Sequence, residues 1–160
     1  MAGTSETRLH LVEGLRFTGT TANGHVVELD SNAEGPPSAA TPMQLQLVAL
    51  GGCTAMDTIS ILRKMRQDVT GYDVVLTSDR AEEHPRVYTA ITMTHIVRGR
   101  GVVEANVHRA IQLTMTRYCP VFAMLYPKVG IREAYEITDD ATGAVLSSAV
   151  SMDATLPGES

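Results

Sequence analysis

Residues 41–65 read TPMQLQLVALGGCTAMDTISILRKM, the longest strongly apolar stretch of the chain and the one holding the first of its two cysteines. Thr41-Pro42 has the form of an N-cap followed by the first helical residue, where proline's missing N–H costs nothing. Straight-chain residues dominate after it, and Arg63, Lys64 and Arg66 stand at the end where a helix favours cations. Such a helix would span roughly 35 Å at about 1.5 Å per residue. Leu45, Val48, Ala49, Gly52, Cys53 and Met56 lie along one side, and Leu47, Leu50, Ile61 and Met65 along much of the other. A helix apolar nearly all round is expected to be buried. Gln44, Gln46 and Asp57 interrupt it too often for a membrane span, which needs about 18 charge-free apolar residues. Gly51 and Gly52 each cost about 1 kcal/mol relative to alanine in mid-helix. That cost is usually offset by something that must come close, a second helix or a ligand, and Cys53 follows at once.

On the N-terminal side, Thr7–Glu13, Arg16–Thr21 and His25–Leu29 read as three short strands, with Asn23-Gly24 as a hairpin turn. Asp30–Ala40 is a loop by composition. On the C-terminal side, Gly71 breaks the chain and Tyr72–Ala81 and Val87–Val97 alternate as a second antiparallel pair. Gly99–Gly101 breaks it again. Val103, Val107, Ala110, Ile111 and Thr114 recur at helical spacing, predicting a second helix to about Arg117. Pro120 opens a third, short helix, and Ile131, Glu133, Tyr135 and Ile137 alternate as a last strand. The order βββ-α-ββ-α-α-β is α+β. Residues 1–138 form one expected domain, and 139–160, rich in Ala, Ser and Thr, are treated as a tail. A single sheet layer covers an all-round apolar helix poorly, so a homodimer burying two such helices together is expected.

With 160 residues the chain is long enough for a real core, and a formal net charge of −5 with scattered Lys and Arg argues against a nucleic-acid partner. Tryptophan is absent and aromatics are scarce, which disfavours base stacking. The polar start, Met1–Glu6, without a following apolar segment, predicts no signal peptide and a cytoplasmic protein without a membrane partner.

In that compartment two cysteines are more often reduced, catalytic or buried than bridged. Cys119, before Pro120, is placed to cap the third helix, where backbone N–H groups favour a thiolate. Cys53 lies inside the long helix and gets no such help. Asp57, one turn later on the same face, opposes a thiolate when charged. Activating Cys53 therefore calls for a cation from elsewhere: Arg16 first, with Arg63, Arg66 and Arg117 behind it. The other reading of each thiol is a small buried hydrophobe. Both stand at helix disruptions, where solvent or substrate can enter. Neither belongs to a zinc spacing pattern, and the histidines, His95 and His108 among them, read as ordinary half-buried or surface residues. Met43, Met56, Met65, Met115 and Met124 read as fillers of core gaps, or for some of them as the lining of a soft apolar pocket.

The run Leu50-Gly51-Gly52-Cys53-Thr54-Ala55-Met56-Asp57, the following Leu62-Arg63-Lys64-Met65-Arg66 and the later Tyr118-Cys119-Pro120-Val121 resemble the OsmC/Ohr family of thiol peroxidases. The resemblance extends over roughly Arg8 to Thr138 and the order of elements agrees. It implies the OsmC-like fold: antiparallel sheets around a long buried central helix, in an intertwined homodimer with sites at the interface. It also implies Cys53 as the peroxidatic thiolate attacking an organic hydroperoxide, Cys119 as the resolving thiol and a cellular dithiol as reductant, with no metal or cofactor. A soft apolar pocket lined by some of the methionines would take the hydroperoxide's alkyl part. Better-characterised members carry a glutamate just after the proline that opens the central helix, paired with an arginine that holds the thiolate. Here Thr41-Pro42-Met43-Gln44 has no carboxylate, so Gln44 is the residue left to hydrogen-bond an arginine, with Arg16 in the corresponding region. The match is nearer to a less characterised branch with a GGC-T/S-A-x-D motif. The missing glutamate motivates an alternative, a non-catalytic protein of the same fold that holds an apolar small molecule in the dimer cleft.

Overall fold

The computed structural model describes residues 4–31, 33 and 35–150. The chain divides into two compact units, Met1–Val48 and Ala49–Ser160.

In the first unit, β1 (Arg8–Glu13), β2 (Arg16–Thr20) and β3 (Val26–Leu29) form an antiparallel meander in that order. The Asn23-Gly24 turn forms as its chemistry dictates: Gly24 takes φ 86°, and its N–H bonds the Thr21 carbonyl at 2.9 Å. The meander is thin. Leu9, Leu11 and Val26 are more than half exposed. The following loop is organised by Asp30, whose carboxylate accepts from the Ser31 N–H and from both the N–H and the hydroxyl of Ser38. Those bonds hold the Asp30 carboxyl below its ordinary value.

The long helix α1 runs Pro42–Lys64. Thr41 and Gln44 make a capping box at its start. The Thr41 N–H and hydroxyl both donate to Gln44 Oε1, at 2.8 and 3.1 Å, and the Gln44 N–H donates to Thr41 Oγ1. By length and composition α1 would pass for a membrane span. Here Leu50, Gly51, Thr54, Thr58 and Leu62 form a buried stripe at the three- and four-residue spacing of one helix face. Burying each leucine is worth about 1.5–3 kcal/mol. Burial on every side, as the apolar pattern suggested, is not found within one chain: Val48 and Met56 are 65% and 72% exposed. Met124 is exposed as well, so it and Met56 do not fill the core, whereas Met115 does.

The second unit is built on a four-stranded sheet, β4 (Asp68–Arg80), β5 (Tyr88–Arg100), β6 (Gly130–Asp139) and β7 (Val145–Val150), in that order. β4 and β5 pair antiparallel over almost their whole length. Gly71 does not end an element. It lies in β4 at a bulge, where the Arg98 side chain occupies the space a Cβ would need. Gly99 likewise lies inside β5, pressed against the Asp68 backbone. β5 and β6 run parallel. A parallel pair needs a crossover, supplied by α2 (Glu104–Leu113), a π-helical turn (Thr114–Tyr118) and α3 (Pro120–Leu125).

The segment treated as a tail contains β7, which pairs antiparallel with β6. The turn between them closes on Asp139, whose carboxylate accepts the N–H groups of Gly101, Ala141 and Thr142, with Gly143 at φ 69°. Five of the six residues of β7 are exposed, so it has no apolar alternation and exists through its ladder with β6. Residues 151–160 lie outside the described residues. Ile91, Met93, His95 and Val97 of β5 and Ile131, Glu133, Tyr135 and Ile137 of β6 alternate into the core beside Val107, Ile111, Met115 and Phe122.

Candidate active site

Cys53 and Asp57 are four residues apart on α1 and so share a face. Cys119 reaches the same place from within the crossover, between the π-helical turn and α3. The two Sγ atoms and a carboxylate oxygen of Asp57 all lie within 4.8 Å of one another. Both cysteines are free; Cys53 is half-buried and Cys119 only 2% exposed. Beside them opens a groove of about 290 Å³, lined by Asp57, Ser60, Ile61, Lys64, Met65, Leu113 and Tyr118.

Cys119 is held by local backbone chemistry. The residue before a proline is pushed to extended geometry, and Cys119 takes φ −77° and ψ 104°. That ends the preceding helix and makes Cys119 the N-cap of α3, its sulfur accepting the Phe122 N–H at 3.3 Å. Its own N–H reaches back five residues to the Thr114 carbonyl at 2.9 Å, the bond that widens this turn to a π-helix. The helix-capping site is as the sequence predicts, but its electrostatic outcome is reversed. Burial, together with the hydrogen bond to Cys53, pushes the Cys119 thiol up to about 12, against the smaller opposite pull of the Phe122 N–H. Cys119 is therefore a protonated, sheltered thiol, not an entry point for solvent.

The family model for OsmC-like protein matches residues 35–133. The chain belongs to the OsmC-like family. It is 45% identical over 132 residues to Protein YhfA of Escherichia coli (strain K12), an alignment covering 82% of this chain and 97% of that protein. The crystal structure of a hypothetical protein from Aquifex aeolicus VF5 superposes with a TM-score of 0.77 at 28% identity, over 87% of this chain and 99% of that one. An organic hydroperoxide resistance protein OsmC from Legionella pneumophila, a predicted redox protein, shares the fold at a TM-score of 0.63 and 12% identity, over 84% and 98%. The α+β OsmC-like fold expected from the motifs is thus the fold observed.

In this OsmC-like chain, Arg16 opens β2, half-buried, and its charge acts on Asp30, with which it lines a cavity of the first unit. Gln44 Oε1, the atom an arginine would need, accepts two bonds from Thr41 in the capping box.

The histidine reading is corrected too. His95 is fully buried, with Nδ1 facing the Tyr72 hydroxyl and Nε2 at 2.8 Å from Glu133 Oε2. The other Glu133 oxygen, buried, has no partner among the described residues, and burial raises the Glu133 pKa against the opposing effect of His95. Tyr72 also meets Thr58, which shares a hydroxyl bond of 3.1 Å with Thr114. A polar line thus crosses the core from Glu133 to the residue whose carbonyl holds the Cys119 N–H. Its signal in the sequence was Glu133 standing in phase with Ile131, Tyr135 and Ile137, a carboxylate on an apolar strand face.

Proposed function

We propose that this protein is a cysteine-based thiol peroxidase that reduces organic hydroperoxides. The observation carrying this reading is the meeting of Cys53 and Cys119, far apart in sequence, with their sulfurs within 4.8 Å. Cys53 is the more accessible and is the peroxidatic residue. Its thiolate attacks the distal oxygen of the hydroperoxide, the O–O bond breaks, the alcohol leaves and a sulfenic acid remains. Cys119 then attacks that sulfur, water leaves and a disulfide forms, which a cellular dithiol reduces. The groove lined by Ile61, Met65 and Leu113 suits the alkyl part of an organic peroxide. The protein acts as a cytosolic homodimer. The exposed Val48 and Met56 on α1 support self-association.

A second reading has its own support: an apolar cavity of about 500 Å³ in the first unit, lined chiefly by Leu9, Leu15, Phe17, Leu29 and Pro42, of a size that holds small ligands. On that reading the protein stores an apolar molecule without chemistry.

Titrating reduced protein with cumene hydroperoxide and with hydrogen peroxide separates the two. The peroxidase reading expects rapid loss of both thiols with the mass of one disulfide, fastest with the organic peroxide. Cys53→Ser should abolish turnover, while Cys119→Ser should stop after one oxidation at a trapped sulfenic acid. Full turnover in Cys53→Ser, or slow oxidation indifferent to the peroxide, would overturn it.

A further inference from the structure

We propose that the reduced site binds a thiophilic divalent cation, zinc above all, through Cys53, Asp57 and Cys119. No sequence spacing announces this site, because one of its three ligands comes from a different element. The tertiary arrangement is nevertheless a familiar one for zinc: two ligands four residues apart on one helix face, and a third from elsewhere, with a fourth position left for water. The donor set, two sulfurs and one carboxylate oxygen, is the soft-to-borderline mixture zinc takes.

The distances fit. Two thiolates on one zinc, each at ~2.3 Å, stand ~3.8 Å apart at the tetrahedral angle. The three donor atoms already lie within 4.8 Å of one another without an ion, so about 1 Å of closure completes the site. The charges fit as well. Two thiolates and the Asp57 carboxylate around a dication leave one net negative charge, and Lys64 lines the same groove as Asp57. The reaction is an exchange: both thiols lose protons to solvent, two Zn–S bonds and one Zn–O bond form, and no redox change occurs. Each thiol gives up its proton on binding, so affinity rises with pH. Bound zinc takes up both lone-pair donors that peroxide chemistry would use. Binding stands apart from the peroxidase reading, whereas this masking rests on it.

The test uses full-length reduced protein and Co²⁺ as a spectroscopic stand-in, followed by competition with Zn²⁺ against a chromophoric chelator. The expected result is one ion per chain, a thiolate-to-cobalt charge-transfer band with tetrahedral d–d intensity, and release of up to two protons. Asp57→Asn should weaken zinc by roughly a hundredfold, at least the loss seen for an outer-sphere partner. Wild-type protein carrying the Cys53–Cys119 disulfide, which has no thiolate to offer, should not bind. A cobalt spectrum without the thiolate band, or equal zinc affinity in the disulfide form, overturns the proposal. Thiol loss to cumene hydroperoxide is measured on metal-free and zinc-loaded protein in parallel. If metal-free protein does not react, the peroxidase reading fails while zinc binding is still decided by cobalt; if metal-free and zinc-loaded protein react alike, the masking fails.

Discussion

The two thiols differ in what surrounds them more than in their chemistry. Cys53 sits half-buried on α1, while Cys119 is buried at the start of α3 with its thiol pushed up to about 12. A thiol-alkylating reagent at neutral pH should therefore modify Cys53 first and leave Cys119 intact until the pH approaches 12, as peptide mapping of each site would read. Linkage follows from the same shift. The native state keeps the Cys119 proton above the ordinary value of 9.0 and the unfolded chain does not, so native stability falls as pH rises from 9.0 to about 12. Cys119→Ser should flatten that fall in denaturant titrations. An equal alkaline loss in Cys119→Ser would assign the loss to other groups. The sheltered thiol also suits a resolving role, since it reacts only with an electrophile brought to it.

Between elements, the join that matters is α1 to the π-helical turn. Thr58 stands between Tyr72 and Thr114, and Thr114 holds both the Ala110 carbonyl through its hydroxyl and the Cys119 N–H through its own carbonyl. Thr58→Val keeps the shape and removes the hydroxyl, taking one hydrogen bond from each of Thr114 and Tyr72 at a cost of about 0.5–1.5 kcal/mol per bond. We expect it to slow disulfide closure more than the first oxidation of Cys53, with Thr58→Ser restoring both, as stopped-flow thiol kinetics would separate. The two helix glycines also part company. A Cβ on Gly51 would meet the Leu76 side chain at 2.7 Å, whereas one on Gly52 meets nothing within 4 Å among the described residues. Gly52→Ala should therefore add about 1 kcal/mol of helix propensity. If a second copy packs on this face, the same substitution shifts the protein toward monomer in sedimentation equilibrium. An unchanged association constant would remove Gly52 from any interface.

For the molecule as a whole, the buried Glu133–His95–Tyr72 line carries an electrostatic cost, and that cost sets a pH dependence. Burial raises the Glu133 pKa, so the native state holds that proton more tightly than the unfolded chain. Stability relative to Glu133→Gln should thus fall as pH rises from the ordinary carboxylate value, 4.5, toward neutrality. Parallel urea titrations of the two proteins across that range read the difference directly; a constant difference would show that Glu133 does not titrate on unfolding. Glu133→Ala, which leaves buried His95 Nε2 without its hydrogen-bond partner, should cost about 1–3 kcal/mol.

Local signals were sufficient for much of this. The Thr41-Pro42 start, the Asn23-Gly24 turn, the alternation of β5 and β6 and the Pro120 break each act over a few residues, so the order of elements and the two cysteine contexts were legible in the sequence. The N-cap at Thr41 was legible too, whereas Gln44 reads toward an arginine and in the fold closes a capping box with Thr41. What only the tertiary structure decided depends on neighbours distant in the chain. β7 has no apolar pattern of its own and forms because β6 offers it a ladder. Gly71 and Gly99 sit within strands because Arg98 and Asp68 come close to them across the sheet. The Cys119 thiol is raised, against the pull of its helix, by burial that spacing does not encode. His95 meets Glu133 through the parallel register of β5 and β6, and Cys53, Asp57 and Cys119 share one point only after the crossover has folded back on α1. Short-range stereochemistry is written residue by residue, whereas burial and long-range electrostatics are properties of the packed chain.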